Sequence, residues 1–146
     1  MNALGDRTLV TAESCTGGLI GSLMTAVPGS SRVFKGGIIS YCNAVKEKQL
    51  GVPGDVLEQF GAVSEEVAKA MARGVLHRLE ADVAVSVTGL AGPSGDEFGN
   101  PVGTVFIGYA DGDTSLSKKY LFSGDRDSVR KQAVNAALQL VLQQIQ

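Results

Sequence analysis

Along the chain the apolar positions change period at regular points, and those changes divide it into alternating strands and helices. Arg7 to Ala12 is short, β-branched and apolar, and predicts a buried strand. It runs through Ser14-Cys15-Thr16-Gly17-Gly18 into Leu19, Ile20, Leu23 and Met24, which keep helical spacing until Val27-Pro28-Gly29 ends the helix. Phe34 to Tyr41 predicts a second strand and Asn43 to Leu50 a helix; after the loop Gly51 to Gly54 a short helix covers Asp55 to Phe60. Ser64-Glu65-Glu66 supplies an N-cap and first turn for a helix to about Leu79, with Val67, Ala68, Met71, Val75 and Leu79 at helical spacing. Ala81 to Thr88 is apolar nearly throughout, as a strand covered on both faces must be. Gly103 to Ala110 and Ser115 to Phe122 predict an antiparallel pair around Asp111-Gly112-Asp113. Asp125 to Gln146 predicts a closing helix with Val129, Ala133, Ala136, Ala137, Leu140 and Val141 on its packing face.

Early alternation and late local pairing predict a three-layer α/β/α sandwich with a mixed, mainly parallel sheet. A length of 146 residues suits a single domain, taken as residues 1–146. The net charge of −2, with thirteen scattered basic residues, gives no electrostatic reason to bind nucleic acid or an anionic membrane. No apolar run approaches the roughly 20 residues of a bilayer span. The opening MNALGDRTLV lacks the basic and apolar regions of a signal peptide, so a cytoplasmic location is expected. Cys15 and Cys42 belong to no CxxC pair or His-containing cluster, which argues against structural zinc and for two small buried hydrophobes in a reducing compartment. The 19 glycines concentrate where strands meet helices, which reads as turns and close backbone approaches.

In open α/β sheets, sites form beyond the carboxyl ends of strands. Three such exits are polar and rich in glycine: Thr11 to Gly18, Ser40 to Lys46 and Thr88 to Gly95. At the first, Ser14 precedes a helix start, near the free N–H groups of Thr16, Gly17 and Gly18, a place suited to an oxyanion or a phosphate. The plainer reading is that Ser14 or Thr16 caps the helix; the two glycines and the charge of Glu13 at a strand end argue for more. At the second, Tyr41, Asn43 and Lys46 follow a strand within six residues, a spacing that can point tyrosine and lysine into one crevice. The only histidine, His77, lies mid-helix, so a Ser-His-Asp arrangement is hard to build. A lysine desolvated in a pocket loses proton affinity and is the remaining natural base, with a tyrosine hydroxyl able to relay or orient; the alternative is a solvated helix lysine. The third exit, GLAGPSGDEFG, offers unpaired N–H groups for an anion or a planar group but has no P-loop ending. Beyond it, Arg126 and Arg130 follow the capping Asp125; surface pairing is their plain role, and bidentate phosphate recognition the functional one.

Six segments in order, AESCTGG from Ala12, GGIISYCNAVK from Gly36, GAVS from Gly61, TGLAGPSG from Thr88, PVGTVF from Pro101 and FSGDRDSVR from Phe122, strongly resemble the CinA C-terminal domain family from about Thr8 to the end. The resemblance implies a nicotinamide-nucleotide amidohydrolase, converting nicotinamide mononucleotide to nicotinate mononucleotide and ammonia in pyridine nucleotide recycling, with no metal or cofactor. It implies a serine–lysine pair with an assisting tyrosine, matched here by Ser14, Lys46 and Tyr41. On that reading the oxyanion falls to N–H groups of Cys15 to Gly18 or of Gly89 to Gly95. The nucleotide would meet Asn43, Gly89, Ala91 and Gly92, with its phosphate on the other N–H cluster, on Ser30 and Ser31, or on Arg126 and Arg130. A homodimer is implied as well. Family members usually place a helix before the first strand, whereas six residues precede Arg7 here, so a less covered sheet face or a partner subunit is expected there. The rival readings are a non-catalytic pyridine-nucleotide-binding or interaction module of the same type, and an amidase for another small amide.

Overall fold

A computed structural model describes residues 1–146. Five strands, β1 (Leu9–Glu13), β2 (Phe34–Ile39), β3 (Val83–Gly89), β4 (Thr104–Ala110) and β5 (Ser115–Leu121), form one sheet in the order β2-β1-β3-β4-β5. The interior strand β1 is parallel to both neighbours, with Glu13 level with Ile39 on one side and Val87 on the other. Its carboxyl end therefore emerges beside those of β2 and β3. β4 and β5 add the antiparallel half of the mixed sheet.

Period-two alternation divides the apolar residues between two layers. In β3, Val83, Val85 and Val87 face the helices α1 (Leu19–Thr25) and α5 (Arg126–Ile145), while Ala84 faces α2 (Asn43–Leu50), α3 (Gly54–Phe60) and α4 (Glu65–Arg78). The first side holds 21 buried apolar residues and the second 12, because small residues there let α4 lie close to the sheet. Ser86 Oγ donates to the Ala68 carbonyl of α4 at 2.6 Å, and a Cβ on Gly108 would come within 2.3 Å of the same oxygen. Ser64 and Asp125 cap α4 and α5 as their positions predict, accepting from the N–H groups of Val67 and Ser128.

β1 sends the chain to α1 on one face, whereas β2 sends it to α2 on the other. This divergence opens a crevice at the carboxyl ends of two adjacent parallel strands. The predicted elements are all present with ends shifted by one to three residues, and Tyr41 falls just beyond β2. The expectation of two buried cysteines holds for Cys15 only; Cys42, at the N-cap of α2, is exposed, and both thiols are free. At the start of the chain, a 3-10 turn (Asn2–Leu4) buries Leu4 against the core. Beside it an apolar hollow of about 210 Å³ includes the half-exposed Leu23, Val27 and Leu142. Apolar surface is thus uncovered on the outside of α1 and α5, and on the sheet Ile39 of β2 and Leu121 of β5 are exposed as well. No helix is long and apolar enough to cross a membrane.

The placement of α2 depends on one glycine of α4. A Cβ on Gly74 would stand 1.8 Å from the carbonyl oxygen of Leu50, the last residue of α2. Gly74→Ala should therefore destabilise the fold by about 2 kcal/mol or more, outweighing the ~1 kcal/mol that alanine contributes to helix propensity. Urea unfolding checks this; an unchanged or raised midpoint would contradict it.

Candidate active site

The hydrogen-bond ladder of β1 continues one residue past the strand, because the N–H of Ser14 donates to the Val87 carbonyl at 3.0 Å. Ser14 is thereby held in line with the sheet and is buried. The chain then turns through Gly17 (φ 59°) and Gly18 (φ 100°), left-handed conformations that glycine adopts without strain. β2 is extended likewise: the Ser40 N–H donates to the Glu13 carbonyl at 2.8 Å. Two residues later Cys42 opens α2, and Lys46 stands in its first turns with its side chain 1% exposed.

These extensions bring the Lys46 amine to the Ser14 hydroxyl, with Nζ 3.0 Å from Oγ. Nζ also donates to the carbonyls of Ser40 at 2.8 Å and Tyr41 at 3.4 Å. Both carbonyls can only accept, whereas the serine hydroxyl can accept a third N–H from an ammonium or give its proton to a neutral amine. Burial holds the Lys46 proton affinity below the ordinary lysine range, with Cys42 and Cys15 opposing weakly. Burial also pushes the Cys15 thiol up to about 11, so at neutral pH it is uncharged and does little to favour a protonated lysine.

Glu13 has a role the residue pattern does not reveal. Its carboxylate is buried, accepting from Thr16 Oγ1 at 2.7 Å and from the N–H groups of Ile20 at 2.9 Å and Gly21 at 3.1 Å. It thus fills the N-terminal end of α1 with negative charge, where the helix dipole favours it. Two sequence expectations change accordingly. Neither Ser14 nor Thr16 caps α1, and the N-terminal N–H groups of α1 are already occupied. The available signal was an acidic residue six positions ahead of an uncapped helix.

The third exit closes the site. A cleft of about 340 Å³ is lined by Ser14, Lys46, Asn43, Gly89, Ala91 and Gly92, with Tyr41 and Arg126 at its edge. The N–H groups of Cys15, Ala91 and Gly92 have no acceptor within the protein. Thr16, Gly17 and Gly18 do not line the cleft, and the Gly17 N–H is used by the Ser14 carbonyl. The Tyr41 ring is largely exposed, and its hydroxyl accepts from Arg126 at 3.1 Å while Arg126 also donates to the Gly92 carbonyl. The tyrosine therefore meets Lys46 through its backbone and turns its hydroxyl to the arginine. Arg130 donates to two carbonyls of the turn after Ser14. Ser30 and Ser31 lie in a 3-10 turn (Ser30–Arg32) leading into the amino end of β2, at the opposite end of the sheet from Ser14, and the structure gives them no contact with the cleft. His77 is exposed on α4, clear of the cleft.

This α/β/α domain buries a lysine amine against a serine hydroxyl at the carboxyl ends of parallel strands, an arrangement that nucleophilic catalysis can use. The chain belongs to the CinA C-terminal domain family, whose model matches residues 3–145. Among its relatives are the nicotinamide-nucleotide amidohydrolases PncC of Enterobacter agglomerans, 53% identical over 91% of this chain and 82% of that protein, and of Pseudomonas putida, 50% identical over 92% and 84%. The crystal structure of a CinA superfamily protein from Klebsiella pneumoniae 700603 superposes with a TM-score of 0.96, at 32% identity over 99% of this chain and 91% of that one.

A lysine whose proton affinity falls on folding binds fewer protons folded than unfolded, in the interval between its two pKa values. Stability rises with pH through that interval, and the cost of the buried charge is fully present below it. Raising the pH from neutrality toward the ordinary lysine value of 10.5 should therefore stabilise the wild type relative to Lys46→Met in urea melts. A difference independent of pH would mean that Lys46 keeps an ordinary proton affinity.

Proposed function

We propose that this chain hydrolyses the carboxamide of nicotinamide mononucleotide to nicotinate mononucleotide and ammonia, with Ser14 as nucleophile and Lys46 as general base. The observation that carries the reading is the buried Lys46 amine, 3.0 Å from Ser14 Oγ, with the Ser40 and Tyr41 carbonyls as its other partners. The activity named for the relatives at 53% and 50% identity supports the substrate.

Lys46 takes the hydroxyl proton as Ser14 Oγ bonds to the carboxamide carbon. The tetrahedral intermediate carries its negative charge on the former carbonyl oxygen. Of the two N–H clusters considered, the cleft favours a combination: the Cys15 N–H beside the nucleophile and the free N–H groups of Ala91 and Gly92 across from it. Collapse breaks the C–N bond, and Lys46 returns its proton to the departing nitrogen, releasing ammonia and leaving an ester on Ser14. Water then attacks the ester, giving one proton to Lys46, and the freed Ser14 oxygen takes that proton back. Asn43 and Gly89 border the substrate. Arg126, exposed at the mouth and steadied by Tyr41, is placed to meet the phosphate. The half-exposed Leu23, Val27 and Leu142 support association as a homodimer.

Incubation with nicotinamide mononucleotide should release ammonia and nicotinate mononucleotide in equal amounts; binding without ammonia would replace the enzyme by a binding module. Ser14→Ala and Lys46→Met should each lower kcat at least about a thousandfold with the fold intact, and the double variant should lose scarcely more, because the pair acts as a unit. Lys46→Arg should be equally inactive, since a guanidinium does not give up its proton. Normal turnover by any of these variants would exclude the pair.

A further inference from the structure

Arg130 lies one turn into α5, between the fully buried Val129 and Ala133, so its helix face is fixed by the core. The guanidinium is half-buried. Its Nε donates to the Cys15 carbonyl at 3.0 Å and its second terminal nitrogen to the Thr16 carbonyl at 3.2 Å. Those are the two residues that follow Ser14. The turn has few other ties, chiefly Gly17 N–H to the Ser14 carbonyl and Leu19 N–H to the Thr16 carbonyl, and its two left-handed glycines give it little stiffness of its own.

A peptide unit is rigid, so holding a carbonyl fixes the whole plane to which it belongs. A planar fork donating to two successive carbonyls therefore orients the peptide planes on both sides of Thr16. Glu13 grips the same turn from the other side through the Thr16 hydroxyl and the α1 N–H groups. The segment after Ser14 is thus held between a carboxylate on its donors and a guanidinium on its acceptors. Arg130, unlike Arg126, does not line the cleft.

The geometry points to Arg130 as a positioning residue for the reaction proposed above: it holds the turn that aims Ser14 Oγ at Lys46 and the Cys15 N–H at the cleft, and it does not bind the substrate phosphate. This rests on the proposed function for its activity readout and on the turn geometry for its structural one.

The test compares Arg130→Met and Arg130→Lys with the wild-type chain, reading kcat and KM for nicotinamide mononucleotide separately. Loss of alignment at the nucleophile predicts a kcat lower by about a hundredfold in Arg130→Met, with KM changed by less than about threefold. Arg130→Lys, whose ammonium can still reach a carbonyl, should recover about tenfold of that loss. A KM raised about tenfold or more with kcat retained is the signature of a lost phosphate ligand and would overturn the proposal, as would two unchanged constants. Should Arg130→Met fail to fold, Arg130→Lys is read alone: an unchanged kcat overturns the proposal. Backbone amide relaxation of Thr16 and Gly17, whose N–H groups share planes with the two held carbonyls, provides a readout independent of any substrate. These amides should be rigid in the wild type and mobile in the folded Arg130 variants, and equal order in both would overturn the proposal even if the wild type proved inactive on this nucleotide.

Discussion

A lysine amine closed off from water and set 3.0 Å from a serine hydroxyl loses the solvation that would normally keep it charged. Its remaining neighbours do not restore that solvation. Two carbonyls accept from it, and of the two thiols that oppose the shift, Cys42 and Cys15, the second is itself pushed up to about 11 by burial. On the proposed reading, this lowered proton affinity lets the amine serve as a base without a histidine or a second acid. The rest of the site places groups around this contact.

The sheet accounts for how a residue after β1 and one in α2 come to meet. Because β1 lies parallel between β2 and β3, the three strands end together, and each of the first two continues its hydrogen bonding one residue beyond the strand. Those extra bonds, Ser14 to Val87 and Ser40 to Glu13, remove the slack that a loop would otherwise introduce. On the far side of the sheet, α2 is seated by the contact of Leu50 with Gly74, which fixes the axis from which Lys46 projects. A site on such rigid elements keeps its geometry without substrate. The glycine-rich turn after Ser14 is held by Glu13 and Arg130.

Much of this is legible in the residue pattern, because periodicity marks elements well. The apolar run of Ala81 to Thr88 and the Ser64 cap need no tertiary context, and the glycine-rich exits point to the right end of the sheet. Partnership is harder to read. Glu13 looks like a spare charge until α1 is seen to lack a cap of its own, and the pairing spans up to eight residues of sequence. Arg126 and Arg130 are four residues apart on one helix and chemically alike, yet one opens to the cleft and the other is spent on backbone carbonyls. Ser30 and Ser31 fail as site residues for a topological reason: they enter β2 at its amino end, while the chemistry lies at the carboxyl ends.

The central claim is that folding lowers the proton affinity of Lys46 and so lets it act as the base, and the shift can be measured without any substrate. Titration of the lysine side-chain ε-carbon resonances by NMR, with Lys46→Met to assign the signal, reads the protonation of each amine separately. One resonance, lost in the variant, should titrate well below the others, which should cluster at the ordinary lysine value of 10.5. If every lysine including Lys46 titrates together in that range, the amine is charged at neutral pH and Lys46 is not the base.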